Sequence, residues 1–100
     1  MITTSISKGT VTATATFRDL GGAGNPVSPD ADTEIVWTVY GQDRETIRHQ
    51  EVQTLADEQG TGVFTFSFEP TIPETVSIEC VGTVGGKKHA GRVLHIVQWV

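Results

Sequence analysis

Residues 9–17, GTVTATATF, constrain this chain more than any other stretch. Val11, Ala13, Ala15 and Phe17 alternate with Thr10, Thr12, Thr14 and Thr16 without a break. A period of two puts the two sets on opposite sides of an extended backbone, whereas a helix would scatter both around its surface. Threonine is a β-former whose hydroxyl is satisfied by water. The stretch therefore reads as a half-buried strand, aliphatic side inward and threonine side wet. Such a strand needs neighbours to pair with and a second layer to cover its apolar side.

The rest of the chain supplies both. RDLGGAGNPVSPD has the glycine, proline and Asp/Asn content of a loop. TEIVWTVYG then places Ile35, Trp37 and Val39 on one face. In GVFTFSFEP, Phe64, Phe66 and Phe68 share a face and Pro70 ends the strand. Each ring offers about 2–3 kcal/mol of burial, so this segment is a large share of the core. ETVSIECVGTV turns Val76, Ile78 and Cys80 inward and Ser77 and Glu79 outward. Gly85 and Gly86 can supply the positive φ of a tight reversal, and RVLHIVQWV is the last strand.

Residues 42–62 are weaker, with Ile47, Val52 and Leu55 as their aliphatic anchors. They read as two short, exposed strands around RHQE. A helix over 51–59 would bury no more than an i, i+3 pair. The sum is about seven strands separated by turn signals at sandwich-like intervals. The fold class expected is all-β: a single antiparallel immunoglobulin-like β-sandwich over residues 8–100, preceded by an N-terminal arm, 1–7, that stays uncommitted until a partner is present. Trp37 would be its central tryptophan, without the cysteine pair that antibody domains pack against it.

The formal net charge of −5 weighs against a nucleic-acid partner, which calls for a concentrated basic face. The densest basic cluster, Lys87-Lys88-His89, is flanked by glycines and reads as a solvated hairpin tip. A single cysteine fits a reducing compartment. No charged start followed by an apolar run marks a signal peptide, and no stretch has the length to span a bilayer. Synthesis and folding in a cytosol, with no membrane partner, is the expectation.

Candidate chemistry gives way to plainer readings. Asp19, Asp30, Asp32 and Asp43 lie in loops, and PDAD has the i, i+2 carboxylates calcium accepts, but no complete calcium-loop motif surrounds them. Turn capping accounts for them better. His49, His89 and His95 have no second ligand at a zinc spacing. A Cys80–His95 nucleophile needs a base oriented by a third group, and Cys80 between Ile78 and Gly82 reads as a small buried hydrophobe. LGGAGN could cradle phosphate only ahead of a helix, and a strand follows it. No catalytic residue, metal or cofactor is expected.

The final segment, GRVLHIVQWV, has Leu94 and Ile96 on one face and Val93, Val97 and Trp99 on the other, with His95 breaking the second. A strand apolar on both faces is covered on both. Val93, His95, Val97 and Trp99 are therefore the candidate interaction residues, Trp being a frequent anchor of interfaces. Trp99 folding over the rim of its own core is the alternative.

The order of these segments also resembles a known group. A threonine-alternating first strand, then F-R-D-x-x-G-x-x-N-P-V-x-P-D at 17–30, G-x-G-x-F-x-x-x-F-x-P at 60–70 and TVSIECVGT at 75–83 together resemble small immunoglobulin-like proteins encoded among the structural genes of tailed bacteriophages. The resemblance covers roughly residues 8–97. It departs at PTIPETV, where the group's approach to the penultimate strand carries Gly and Trp. It implies a non-enzymatic virion protein, made in the host cytoplasm, that decorates or cements the capsid. Its partner would be the major capsid protein or another virion protein, and it would itself be a homo-oligomer. A head–tail connector or tail component is the first rival, and a carbohydrate- or cell-surface-binding module the second.

Overall fold

The computed structural model describes residues 2–7, 9–19 and 24–96. The threonine alternation becomes part of a three-stranded antiparallel sheet made of β1 (Ile2–Ser7), β2 (Thr10–Thr16) and β5 (Val63–Phe68), in the order β1-β2-β5. Burial in β2 follows the sequence period, with Val11, Ala13 and Ala15 closed off from water. The register explains why two of these are alanines. Ala13 stands opposite Phe66 and Ala15 opposite Phe64, so small side chains leave room for large rings on the same face.

The expectation of an uncommitted arm over 1–7 is corrected here, because residues 2–7 are the edge strand β1. Ile2 pairs with Ala15 and the ladder continues to Ser7 opposite Thr10. ITTSIS alternates with the same period as β2, and pairing supplies partners for the N–H and C=O groups along that edge of β2.

The second sheet is four-stranded and antiparallel: β3 (Ile35–Tyr40), β4 (Ile47–Gln53), β6 (Thr75–Val84) and β7 (Lys87–Ile96), in the order β4-β3-β6-β7. The β6–β7 reversal uses Gly85 and Gly86 at φ +59° and +76°, the mirror-image turn that fits the twist of a hairpin. In place of two short strands around RHQE there is one, β4. Its ends explain why it is continuous. Before it, the Asp43 carboxylate accepts hydrogen bonds from the Glu45 and Thr46 amides and the Thr46 hydroxyl, closing the turn. These bonds hold its pKa down to about 2. After it, Thr54 and Asp57 form a reciprocal cap on a short 3-10 turn, Leu55–Asp57. Between those caps the strand is continuous, with one register shift against β3 where the pairing steps from Val39–His49 to Tyr40–Ile47.

The two sheets pack face to face as a β-sandwich, and consecutive strands cross between them from β2 to β3, β4 to β5 and β5 to β6. Trp37, fully buried, stacks on Phe66 with centroids 5.3 Å apart and planes 16° from parallel. Phe17 meets Phe64 edge-on at 5.8 Å. Gly82 allows β6 to approach this cluster, because a Cβ there would lie 2.7 Å from the Phe17 ring. Gln53 bridges the layers. Its Oε1 accepts from Trp37 Nε1 at 2.9 Å and its Nε2 donates to the Thr65 carbonyl of the other sheet at 2.9 Å. A tryptophan buried at the centre of the core thus keeps its N–H satisfied.

Candidate interaction face

The outer side of the four-stranded sheet is assembled from residues far apart in sequence. The register sets Val52 beside Val36, Val36 beside Val81, and Val81 beside Ala90. Two residues along each strand, the next row is Gln50, Thr38, Glu79 and Arg92. The third row is Tyr40, Ser77 and Leu94, with Ile47 brought opposite Tyr40 by the register shift in the β3–β4 pairing. Two apolar rows thus flank one polar row. Among the described residues, four large hydrophobics are strongly exposed, and three of them, Ile47, Val52 and Leu94, belong to this face at 52–54%. With strands about 4.8 Å apart and a rise of about 3.4 Å per residue, the face covers about 400 Å2. The two apolar rows make up about two thirds of that area, comparable with the largest apolar patch of an ordinary soluble monomer, which is often a functional one.

The polar row is ordered and carries its charges in balance. Arg92 Nη2 donates to Glu79 Oε2 at 2.8 Å, and the guanidinium lies 4.8 Å from the centroid of the Tyr40 ring. Gln50 Nε2 donates to the Thr38 hydroxyl at 3.0 Å. Ser77, in the register between Tyr40 and Leu94, is 1% exposed, and its Oγ has no hydrogen-bond partner.

The residues singled out on the last strand divide differently from the expectation. Val93 faces Ile78 across the β6–β7 ladder, so it points inward and packs against the core. His95 faces Val76 on the same side, and its Nδ1 lies 2.9 Å from the Thr4 hydroxyl of β1. The second cover that β7 calls for on this side comes from the chain's own first strand, because β1 and β7 lie along the same flank of the sandwich. The strongly exposed large apolar residue of β7, among those described, is Leu94. Val97 and Trp99 lie outside the described residues.

The other candidates do not converge on chemistry. The Asp30 carboxylate accepts from the Gly85 and Gly86 amides at 2.8 Å each, and its own amide donates to the Thr83 carbonyl. It ties the β6–β7 tip to the loop before β3, and those amides lower its pKa from the ordinary 3.8. Among the described residues, no three His, Cys, Asp or Glu side chains come together where they could hold a metal ion. Burial pushes the Cys80 thiol up to about 12, so it stays protonated at neutral pH. Cys80 faces Gly91 while His95 faces Val76, so the two do not meet. A cleft of about 420 Å3 opens beside β7, with Phe17 and Cys80 among its walls and Arg18, Lys88 and His89 also lining it.

Sequence reasoning misses most of the interaction face, although one signal is available. Ile35–Tyr40, IVWTVY, is apolar at consecutive positions, the same two-sided pattern read in the last strand. Val36 and Tyr40 are its outward members.

Fold and surface together define an all-β sandwich of two antiparallel sheets, with hydroxyl residues on one outer face and two apolar rows flanking a polar one on the other. Compared with family models, curated proteins and solved structures, the chain matches none.

Proposed function

We propose that this chain is a non-enzymatic structural protein of a tailed-phage virion, an immunoglobulin-like module that decorates or cements the capsid by protein–protein contact. The observation that carries the proposal is the apolar outer face of the four-stranded sheet, which has the composition of a contact surface rather than a solvated one. The motif order at 17–30, 60–70 and 75–83 supports the phage setting. The topology supports an immunoglobulin-like body. Lettered A to G in chain order, the sheets are A-B-E and D-C-F-G. The constant-type arrangement, ABED on CFG, differs by moving the fourth strand from the edge of E to the edge of C.

Such a protein stabilises a shell by mass action, because binding to the assembled lattice alone favours assembly. Many copies on a symmetric shell multiply weak individual contacts through avidity. A carbohydrate-binding module is less well supported. Trp37 is fully buried, and the Tyr40 ring is already engaged by Arg92.

The test is gradient sedimentation and mass spectrometry of intact particles from the phage that carries the gene. The chain is expected in the particle band at a copy number comparable with that of the capsid subunits. A ring-sized copy number would favour the connector or tail reading. Recovery only in the slowest, soluble fraction would overturn a virion role.

A further inference from the structure

We infer that the outer face of the four-stranded sheet pairs with the same face of a second copy of this chain, about a two-fold axis parallel to the strands. The inference rests on reading this face as a contact surface and names its occupant. Two copies related by a two-fold axis must present one patch to itself, so the patch has to be self-complementary. The rows meet that requirement, because apolar falls on apolar and polar on polar whether a two-fold axis in the plane of the face runs along the strands or across them.

Charge decides which axis. For two sheets laid face to face, the axis lies in the plane between them, either across the strands or along them. An axis across the strands sets each strand on its own copy, so Glu79 would meet the partner's Glu79 and Arg92 the partner's Arg92. Like charges at a closing interface oppose association. An axis along the strands sets β4 on the partner's β7 and β3 on the partner's β6. Gln50 then faces the partner's Arg92, and Glu79 lies over the partner's buried Thr38, so no charge stands directly on its like. The same axis lays Ile47 on the partner's Leu94 and Val36 on the partner's Val81. Both axes keep the two sheets nearly aligned, as face-to-face sheets prefer, so charge alone separates them.

The chain's net charge of −5 does not prevent this. The central row of the face holds one acid and one base already joined in an ion pair, so the excess negative charge lies elsewhere. A footprint of about 400 Å2 per copy is about half that of a standard interface and belongs with weak, transient contacts, so a dissociation constant no tighter than about 10–100 μM is expected. That strength suits a contact that matters when many copies are held together.

The experiment is sedimentation equilibrium of the full chain from about 5 μM to about 1 mM, the range that brackets such a constant. The mass should rise from the 10.7 kDa of one chain toward twice that value. Val52→Glu and Leu94→Glu should each weaken association by about 30-fold or more, since a carboxylate would be buried among apolar side chains. Both positions are more than half exposed, so the melting temperature of the monomer should not fall. Gln50→Glu should tighten association about fivefold by facing the partner's Arg92, and Gln50→Arg should weaken it by a similar factor.

A single-chain mass throughout overturns the inference. So does a dimer that survives Val52→Glu with Leu94→Glu, or one that Gln50→Glu weakens. The virion proposal fails separately. A chain that remains monomeric yet sediments with particles would move this face onto a capsid protein, whereas a dimer absent from particles would keep the pairing and remove the virion role.

Discussion

On the outside of the three-stranded sheet, Thr14 stands between Thr3 and Thr65, and Thr12 pairs with Ser67 through a 2.9 Å hydroxyl contact. On the outside of the four-stranded sheet, Val36 stands between Val52 and Val81. Both faces use β-branched residues, so strand propensity is served equally well by either. Threonine replaces one methyl of valine with a hydroxyl that water or a neighbour can satisfy. The chain uses that substitution over most of one face, where Val63 is an exception, and largely omits it from the other. Ile47, Val52 and Leu94 each keep about half their surface in water, and covering one would gain about 1 kcal/mol. The contrast teaches that two sheets can share one core and still present different outer faces, hydroxyl-rich on one and with two apolar rows on the other.

What joins the two sheets is the first place to break that contrast. Gln53→Ala would leave Trp37 Nε1 and the Thr65 carbonyl without their partners inside the sandwich. The loss should be about 2–4 kcal/mol in urea unfolding, because a buried unsatisfied group carries its full desolvation penalty. A change below about 0.5 kcal/mol would mean the layers are held by ring packing with no need of this bridge.

Making the wet face resemble the apolar one comes next. Thr12→Val with Thr14→Val should leave monomer stability within about 1 kcal/mol, since the residues stay β-branched and half-exposed. It should, however, give the molecule a second sticky face. Light scattering should then show species larger than a dimer, as expected of a subunit with two contact faces. If the variant behaves like the wild type, apolar content is not what makes a face adhesive here.

Ser77→Ala probes the apolar face from beneath. Removing an unpartnered, buried hydroxyl should raise stability by up to about 1 kcal/mol, read as a higher melting temperature. A fall would show that the hydroxyl makes a contact in solution.

The smallest effect is expected at the hairpin tip. Asp30→Asn should speed hydrogen exchange at Gly85 and Gly86 with little change elsewhere. The pKa of Asp30 is lowered in the fold, so its contribution is complete above the ordinary 3.8 and declines as pH falls through the lowered value. Protection of those two amides, measured against their intrinsic exchange rates, should therefore fall in acid in the wild type and stay flat in the variant.

The parts of the fold legible in the sequence are those where one strand declares its own two sides. β2 and β5 do so through unbroken alternation, and Phe64, Phe66 and Phe68 are buried as their spacing requires. β4 does not, because its inward side includes His49 and Gln53, which hydropathy counts as polar. His49 nevertheless lies 5.5 Å from Phe66, and Gln53 bridges the sheets. β1 reads as an arm because its aliphatic residues are few. What fixes it is the vacant edge of β2, a property of another segment.

The interaction face is the least legible. Its rows exist only once β3 is known to lie between β4 and β6, and no local pattern states that adjacency. The last strand illustrates the same limit. Its two apolar faces do signal double cover, but Val93 and His95 face the chain's own first strand and core, leaving Leu94 outward.

A dilution series by NMR, from about 1 mM to about 20 μM, spans the expected dissociation constant and reads both faces in one sample. Methyl signals of Val36, Val52, Val81 and Leu94 should shift together with concentration while those of Thr3, Thr12 and Thr14 hold still. Shifts at the threonine methyls with the valines unmoved would contradict the division of labour between the two sheets.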